Sequence, residues 1–444
     1  MYPIPQDLKS RNKIFLDIDT MEIRLDKDVY PLDNVSAGMI LKIMVKGDDV
    51  IPFKPGLTQY NGYTIYYRPI EITPPQLMAT AWEVFSTQPL RLDEAYNTVL
   101  KWVEETIYHP LDVAKELITL YILYTWFSRY YPKKVFLIVS GMYMTGKSQV
   151  GALLKAFGRY TVQTFVGAKT SEWELALLKG TMLIDEPENL TRKHLAWLRR
   201  LHDEGYIVSK MMGAPGGWRM VSLQLDSPVV LIGTHIPEDP ALISRSLIIK
   251  MHYGEPRSKP PTINSQLARE FRASMLLSSL RYYSDYQKAI RSLEGYKPRK
   301  PRLSQRELDL FIPLAAILKI VGREDIERDL AYMLAYSRYL AYNINPAKRL
   351  LFNIIREIIR NGSQQGEFIC ISQQDLLEIV STYAKASLLE RETIRYIIRY
   401  LDSSSYILTK GEVKYCFRKE DLEVQIMIEE DVIDYINSLL GLKP

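Results

Sequence analysis

The sequence is poor in the residues that build metal centres and redox sites. It contains two cysteines, Cys370 and Cys416, and five histidines in 444 residues. The cysteines lie far apart along the chain and lack the spacing of a zinc-ligand set, which gives no support for a zinc site. Both fall on strands predicted to share a small sheet, where a disulfide could form. In an intracellular protein, however, the pair is expected to remain two buried thiols.

Long apolar runs are also missing. The longest, residues 117–127, is too short to span a bilayer, and residues 1–11 are polar and contain proline, unlike a secretory signal peptide. We therefore expect a soluble, cytoplasmic protein without a membrane contact. Neither sign of charge dominates, because the net charge is only +5. Such a mild excess permits nucleic-acid binding without requiring it.

The composition that remains, with 47% hydrophobic and 25% charged residues, is that of a folded protein. A chain of 444 residues predicts about two or three domains. The periodicity predicts, in chain order, a small β-rich module (1–75), a helical lead-in (76–132), an α/β core with a parallel sheet (133–255), a helical lid or linker region (256–345) and a winged-helix domain (346–444). A basic, proline-rich stretch at 297–302 is typical of a linker or hinge.

One stretch has the pattern of a phosphate-binding loop. An apolar run at 135–139 precedes the spacing G-x-x-x-x-G-K-S, and a helix-forming segment follows. Glycines let the backbone N–H groups of such a loop point at an anion, and the positive end of the next helix faces the same phosphates. The predicted ATP-binding residues are Gly141, Met142, Tyr143, Met144, Thr145, Gly146, Lys147, Ser148 and Gln149. Lys147 is expected to reach the β- and γ-phosphates, and Ser148 to bind Mg²⁺.

A second strand-like run, residues 181–184, ends in Asp185 and Glu186. At the carboxyl end of a parallel strand, Asp185 is expected to hold Mg²⁺ through water, and Glu186 to orient and polarise the attacking water. The alternative is an ordinary strand that leaves the core at a charged turn. Because the pair follows a phosphate loop, the pattern favours the catalytic interpretation.

A third strand-like run ends at Thr234, which we expect near the γ-phosphate. His235 is a weaker candidate, and the alternative is a β-branched residue that merely finishes a buried strand. Arg245 precedes a further apolar strand and is expected to project from the edge of the domain toward the nucleotide of a neighbouring subunit. Guanidinium suits that role because it is planar and always charged. The alternative is a surface arginine paired with Glu238 or Asp239.

Phosphate loop, Asp-Glu strand, polar third strand and trailing arginine follow the order found in the AAA+ ATPases, which this sequence resembles over residues 95–440. The likeness is closer to the helicase-like AAA+ proteins of plasmids, viruses and integrated elements, which are related to superfamily 3 helicases and include primase-helicases. Residues 303–322 look like the helical segment after their ATPase core, and residues 119–126 look like the helix before their phosphate loop.

The resemblance implies an ATP hydrolase that assembles into a ring, expected to be a hexamer, with ATP and Mg²⁺ held between subunits. The sequence departs from the family at Thr234, where Asn is commoner. It also has no evident second sensor arginine, for which Arg269 and Arg272 are candidates. No primase-like acidic triad is recognisable, so a separate primase or polymerase is an expected partner.

Two β-prone runs flank the turn sequence Gly-Ala-Pro-Gly-Gly at 213–217, which predicts a hairpin. In the helicase-like proteins that this chain resembles, a hairpin at this position faces the pore of the ring. Lys210 and Arg219 are then expected to contact phosphates, and Trp218 to stack on a base or sugar. A plain surface hairpin whose tryptophan packs on its own base is the alternative.

The last hundred residues have the element order of a winged helix. Its predicted DNA contacts are Arg391, Arg395, Arg399, Lys410 and Lys414. The arginines recur every four residues on the third predicted helix, 388–401, and form one face that suits a DNA groove. The lysines lie on the hairpin that follows. The alternatives are solvated arginines paired with neighbouring glutamates, and a winged helix that contacts protein.

Together, these features predict an ATP-dependent DNA helicase or translocase that acts as a ring on single-stranded or forked DNA in the replication of a mobile element. Two other functions fit the same motifs. One is an ATP-gated replication initiator or regulator that recognises one DNA sequence. The other is an AAA+ ATPase that remodels protein.

Overall fold

The computed structural model describes residues 13–17, 20–36, 40–67, 81–203, 205–214, 217–237, 239–296, 298, 301, 303–344, 346–366, 368–384, 405–409, 412–418 and 435. The chain divides into two units. The first comprises Met1–Tyr296 and Gln305–Leu330, and the second comprises Lys297–Ser304 and Ala331–Pro444. In the described part of the chain, no helix combines the length and the apolar character needed to cross a membrane.

Short strands open the first unit. They are β1 Lys13–Leu16, β2 Glu22–Leu25, β3 Asp28–Ser36, β4 Ile40–Lys46, β5 Asp49–Phe53, β6 Gly56–Tyr60 and β7 Tyr63–Tyr67. Strands β2 to β5 pair in chain order as an antiparallel four-stranded sheet, and β1, β7 and β6 form a three-stranded one. In β2, Ile23 and Leu25 are buried while Glu22 and Arg24 are exposed. This alternation is the signature of a half-buried strand.

Three helices lead from these strands to the core: α1 Ala81–Ser86, α2 Leu92–Thr106 and α3 Asp112–Phe127. Every residue of α3 from Leu117 to Phe127 is buried. The continuous apolar run of the sequence is therefore a helix enclosed on all sides by the first unit. Its Tyr121 hydroxyl lies within hydrogen-bond distance of the carbonyl oxygens of Val135 (3.0 Å) and Val229 (3.1 Å) and donates to this pair, which fixes the helix at the start of two core strands.

The core is a five-stranded parallel sheet, as the alternating pattern of the sequence predicts. Its strands are β8 Phe136–Ser140, β9 Thr161–Gln163, β10 Thr181–Asp185, β13 Val229–Gly233 and β14 Ser246–Lys250, in the spatial order β14-β8-β13-β10-β9. The connecting helices are α4 Lys147–Phe157, α5 Lys169–Leu178, α6 Arg192–Asp203 and α7 Pro240–Ile243. In this order, the strand that follows β8 along the chain, β9, lies at one edge of the sheet, and the last strand, β14, lies on the opposite side of β8. The direction in which strands are added therefore reverses at β8. Ligands of open α/β sheets bind at the carboxyl ends of strands next to such a reversal.

The predicted hairpin is present and lies between α6 and β13 along the chain. It consists of β11 Tyr206–Ala214 and β12 Gly217–Leu225, which pair from Tyr206 with Leu225 to Ala214 with Gly217. Helices α8 Gln266–Arg281, α9 Tyr283–Leu293 and α10 Gln305–Val321 follow the sheet.

The remaining elements are α11 Glu327–Ile344, α12 Pro346–Asn361, β15 Ser363–Gln365, β16 Phe368–Ser372, α13 Gln373–Ala384, β17 Ser405–Thr409 and β18 Glu412–Arg418. The four strands form an antiparallel sheet in the order β15-β16-β18-β17. The third helix predicted for the winged helix, with Arg391, Arg395 and Arg399, lies outside the described residues, as does Lys410. Lys414 lies on β18, but its side chain is outside the described part. The winged helix thus stays a prediction.

The state expected for the two cysteines is wrong. Cys370 on β16 and Cys416 on β18 are direct partners in the antiparallel ladder, with their Cα atoms 4.1 Å apart, and they form a disulfide. The reason is the register of the strands. A pair directly opposite in an antiparallel ladder brings its side chains within disulfide reach, and the sequence does not specify which residues face each other.

Candidate active site

The carboxyl ends of β8, β13 and β10 lie side by side. The ladder pairs Ser140 with Gly233, and Asp185 with Ile232, so the three strands end at nearly the same level of the sheet. A cleft of about 650 Å³ opens at this edge. It is lined by Tyr143, Met144, Thr145, Gly146, Lys147, Ser148, Gln149, Asp185, Glu186, Glu188, Asn189, Ile232, Gly233 and Thr234. Phosphate loop, Asp-Glu pair and Thr234 are therefore brought together, as expected from parallel strands.

The two glycines of the loop are required for different reasons. Gly146 has φ +80°, a conformation that glycine adopts without strain. At Gly141, an added Cβ would come within 2.9 Å of the Met251 carbonyl oxygen and 2.8 Å of Thr145 Oγ1, so there the close approach of the chain excludes a side chain. Gly146 is also the N-cap of α4 and supplies no side-chain cap. The N–H groups that open a helix have no partner within it and suit an anion. In α4 these are the N–H groups of Lys147 and Ser148, because that of Gln149 donates to the Gly146 carbonyl oxygen at 3.0 Å.

The Lys147 ammonium donates to the carbonyls of the loop that precedes it. Its Nζ lies 2.7 Å from Gly141 O and 2.6 Å from Met142 O. Partial burial lowers the pKa of Lys147, and the carboxylates of Glu188 and Asp185 oppose that shift. The ammonium is thus held at the mouth of the loop by neutral acceptors, which phosphate oxygens would replace with stronger, charged ones.

The predicted pair of carboxylates occupies the far side of the cleft. Asp185 accepts from the Glu186 N–H (3.2 Å) and from Gln163 Nε2 (3.4 Å). Glu186 has φ +53°, a left-handed conformation that is uncommon outside glycine and that clusters at functional sites. Its Oε2 accepts from Asn189 Nδ2 at 3.2 Å. Asn189 therefore holds the side chain of Glu186, a contact that the sequence reasoning missed.

A third carboxylate, Glu188, was also missed, although it stands only two residues beyond the predicted pair. Its Oε1 accepts from the Thr234 N–H, from Thr234 Oγ1 (2.5 Å) and from the His235 N–H (3.1 Å). Burial opposes ionisation of Glu188, but the hydrogen bond from the Thr234 side chain and three from backbone groups prevail and hold its pKa below the ordinary value. The sequence signal was the third acid of Asp-Glu-Pro-Glu at 185–188, to which the sequence interpretation gave no role.

The donors of the cleft fit a magnesium nucleotide. Mg²⁺ prefers one or two protein oxygens completed by phosphates and water, and Ser148 and Asp185 bring a hydroxyl and a carboxylate to the same cleft. Within the described residues, no group of three or more His, Cys, Asp or Glu side chains could hold a metal ion.

Arg245 does not project from the edge of the sheet, and that expectation is wrong. The side chain is 9% exposed. Its Nη2 lies 2.6 Å from Asp203 Oδ2, and its Nη1 lies 2.6 Å from the Ala241 carbonyl oxygen. The partner is Asp203 at the end of α6, not Glu238 or Asp239. A carboxylate distant in sequence therefore holds the guanidinium, and its action on a neighbour's nucleotide stays a prediction.

The candidates for a second sensor arginine do not line the cleft. Arg272 is buried and donates to the Ala156 carbonyl (2.9 Å) and the Ile263 carbonyl (2.9 Å), so it caps the carboxyl end of α4, away from the phosphate loop. Burial lowers the pKa of Arg272. Arg269 pairs with Glu83 at 3.4 Å.

The hairpin has one packed face and one exposed face. Val208 and Leu223 are direct partners and are buried, whereas Met211 and Met220, partners on the other face, are exposed. Trp218 shares the exposed face and is 75% exposed, so it does not pack on the base of the hairpin.

The two basic hairpin residues are placed differently from Trp218. Lys210 is on the packed face, where its Nζ lies 5.9 Å from the ring centroid of Trp173 on α5. The structure therefore does not bring Lys210 and Trp218 to the same face. Arg219 pairs with Met212 in the ladder, and its side chain lies outside the described part of the chain.

A cationic helix face was not anticipated. Helix α6 reads Arg-Lys-His-Leu-Ala-Trp-Leu-Arg-Arg-Leu-His-Asp and buries Leu198, Leu201 and His202. At 100° per residue, its four cations fall together on the side away from these residues. They are Arg192, Lys193, Arg199 and Arg200. The helical spacing of these basic residues in the sequence could have predicted this cationic face.

No family model matches the chain, and no curated protein matches it. Among solved structures, it is similar to a full-length MCM homolog from Methanopyrus kandleri, at 14% identity, over 69% of this chain and 76% of that one, with a TM-score of 0.36. It is similar to the SCCmec type IV Cch active helicase at 10% identity, over 95% and 97% of the two chains, with a TM-score of 0.35. The apo C-terminal region of NrS-1 gives 14% identity, 86% and 94% coverage, and a TM-score of 0.39. Likenesses this distant assign no function.

Proposed function

We propose that the chain is an AAA+ ATPase that hydrolyses ATP with Mg²⁺ and uses the energy to move along or unwind DNA. The observation that supports the ATPase is the cleft, where an ammonium, an uncapped helix start, two carboxylates and a hydroxyl converge at the ends of three adjacent strands. Each group has the chemistry that phosphoryl transfer to water requires.

Hydrolysis would use these groups in the following way. The N–H groups at the start of α4 and the Lys147 ammonium bind the β- and γ-phosphates and stabilise the charge that develops on them. Ser148 and Asp185 would hold Mg²⁺, which would supply positive charge against the phosphate oxygens. Glu186 orients the attacking water and accepts its proton. Thr234 positions the terminal phosphate by hydrogen bonding.

We further propose that the chain acts as a ring, expected to be a hexamer, with Arg245 of one subunit at the ATP of the next. For that role the guanidinium must exchange the Asp203 carboxylate for a phosphate when two subunits meet, which its bidentate geometry allows. Mixing inactive Lys147→Ala and Arg245→Ala chains tests this arrangement. Partial recovery of ATP hydrolysis is expected, because some interfaces then combine both intact residues, and a mixture as inactive as its parts would refute the shared site.

The proposed substrate of this motor is DNA, in the form of single strands or a forked duplex, in the replication of a mobile element. Support comes from the exposed Trp218 near the end of the hairpin and from the four cations on one face of α6. Stacking on an aromatic ring combined with a positively charged track is how proteins grip single strands without reading sequence. Lys210 and Arg219 would add phosphate contacts at the hairpin.

Strand displacement from a forked DNA duplex, with and without ATP, tests the motor. The expected result is ATP-dependent release of one strand. Hydrolysis of ATP without any displacement, combined with protection of one discrete sequence in a footprint, would instead indicate a replication initiator.

A further inference from the structure

The single oxygen Glu188 Oε1 collects three donors at the edge of the cleft. The Thr234 hydroxyl lies 2.5 Å away, the His235 N–H lies 3.1 Å away, and the Thr234 N–H also donates. Neutral donors at such short distances indicate charge-assisted hydrogen bonds to an ionised carboxylate. The hydroxyl assigned to the terminal phosphate is therefore engaged by an acid of this same chain.

The backbone is built to place this carboxylate. Pro187 begins a short 3₁₀ turn, Pro187–Asn189, immediately after the left-handed Glu186. Gly233 lies beneath the turn, and a Cβ there would come within 2.7 Å of both Glu188 Oε1 and Pro187 Cδ. Only a residue without a side chain at 233 lets Glu188 reach Thr234. The contact thus depends on the backbone at Glu186, Pro187 and Gly233, which follow β10 or end β13. A surface contact formed by chance would not need such specific backbone positions.

Glu188 and Lys147 line the same cleft. The Glu188 carboxylate thus shares the cleft with the ammonium and engages the Thr234 hydroxyl. The ammonium and this hydroxyl are the two groups to which the proposed hydrolysis assigns the terminal phosphate of ATP.

We propose that Glu188 is a specificity-determining residue that distinguishes ATP from ADP by competing with the γ-phosphate for the hydrogen-bond donors of Thr234. The proposal rests on the proposed nucleotide site. A triphosphate must displace the carboxylate, since two anions cannot share those donors. A diphosphate ends before this position and leaves the hydrogen bonds of Glu188 intact. Movement of the Pro187–Asn189 turn therefore accompanies binding of ATP and not of ADP, and carries the state of the nucleotide to Glu186 and Asn189.

The test is equilibrium binding of Mg·ADP and of the slowly hydrolysed analogue Mg·ATPγS to the full chain, by calorimetry. The variants are Glu188→Gln, which keeps an acceptor but removes the charge, and Glu188→Ala, which removes both. Glu270→Gln is the control, because it removes an exposed charge from α8, outside the cleft. We expect both Glu188 variants to bind ATPγS more tightly by roughly tenfold, an ordinary size for relief of like-charge repulsion near a protein surface. Affinity for ADP should stay within about twofold.

Two outcomes overturn the proposal. Equal changes in affinity for the two nucleotides, or none, would mean that Glu188 only supports the loop. Loss of hydrolysis in Glu188→Gln with an unchanged ratio of affinities would make Glu188 the base. Failure of the wild-type chain to bind either nucleotide would instead refute the proposed nucleotide site itself. If Glu188→Gln does not fold, the ratio measured with Glu188→Ala decides, since a purely structural role weakens both nucleotides alike.

Discussion

The first unit contains two clusters of opposite charges whose partners differ in kind. The buried cluster is Asp33, Arg129 and Arg159, and the cleft cluster is Lys147, Asp185, Glu186 and Glu188. In the buried cluster, Asp33 Oδ2 lies 2.8 Å from Arg159 Nη1 and 3.1 Å from Arg129 Nη1, and the side chains are 0–3% exposed. In the cleft, the ammonium binds backbone carbonyls and the carboxylates accept from amide and hydroxyl donors.

The difference shows which charges are available for chemistry. Burial would raise the pKa of Asp33, but Arg129 and Arg159 outweigh it and hold that pKa below the ordinary value. Arg159 also donates to the carbonyls of Leu178 and Lys179, so the buried cluster ties β3 to the end of α5. In the buried cluster, the three charged side chains are enclosed and satisfy one another, so none is accessible to a phosphate. In the cleft, the Lys147 ammonium is satisfied by neutral carbonyls, which a phosphate can replace.

The largest effect is expected from neutralising the catalytic carboxylate of the cleft cluster while leaving the buried cluster in place. Glu186→Gln should reduce ATP turnover by roughly 10²–10⁴-fold, the usual contribution of a general base. Nucleotide binding and thermal stability should change little, because the contact of the Glu186 side chain with Asn189 is exposed and Gln retains an oxygen that can accept it. Turnover measured at saturating ATP, together with a binding titration, checks both halves. Undiminished turnover would remove Glu186 from the mechanism.

Breaking the buried cluster should affect the stability of the fold, whereas the preceding substitution affects turnover. Asp33→Asn leaves two buried guanidinium groups without a counter-charge and should lower the free energy of unfolding by about 3–5 kcal/mol. Asp28→Asn on the same strand is the control, because Asp28 is exposed. The difference in the free energy of unfolding between wild type and Asp33→Asn should have its full size above pH 4. It should shrink as the pH falls through the lowered pKa of Asp33, since the wild type then loses the same charge. Urea unfolding at several pH values measures it, and equal stability of the two variants would contradict the account.

Loss of the cleft cation should impair nucleotide use without unfolding the chain. Lys147→Ala is expected to lower turnover by roughly 10²–10³-fold, as for removal of one preorganised donor to a developing negative charge. Lys155→Ala is a matched control at the other end of α4, where Lys155 donates to Gln163 Oε1 at 2.5 Å. Rates and melting temperatures of the two variants separate catalysis from stability. A Lys147→Ala chain with wild-type turnover would refute the site.

The smallest effect is expected at the hairpin. Trp218→Ala should weaken binding of single-stranded DNA by about 1–3 kcal/mol, the contribution of one stacked base. Phe165→Ala controls for exposed aromatic area, since Phe165 is 78% and Trp218 75% exposed. Fluorescence titration with an oligonucleotide measures the difference. Equal losses in both variants would show that the hairpin has no special role.

Local patterns in the sequence were sufficient for the parts of the site that are continuous along the chain. The strand, loop and helix around Lys147, the acids that end β10, and the hairpin turn all follow from short-range periodicity and glycine spacing. The buried α3 likewise follows from its apolar run.

What the sequence did not predict depends on which segments become neighbours. Glu188 reaches Thr234 only because β13 lies beside β10, an order that no local pattern specifies. Arg245 is buried because Asp203, far along the chain, faces it. Cys370 and Cys416 are joined through the register of two distant strands. Each is a contact between residues whose separation is set by topology and not by periodicity.

The most direct measurement of the central claim is the rate of ATP hydrolysis by the full chain, with and without single-stranded DNA. We predict magnesium-dependent hydrolysis that rises when DNA is added and that disappears in Glu186→Gln. A rate that is zero in both conditions, or one that ignores both the DNA and the substitution, would contradict the assignment of this cleft to an ATP-driven motor.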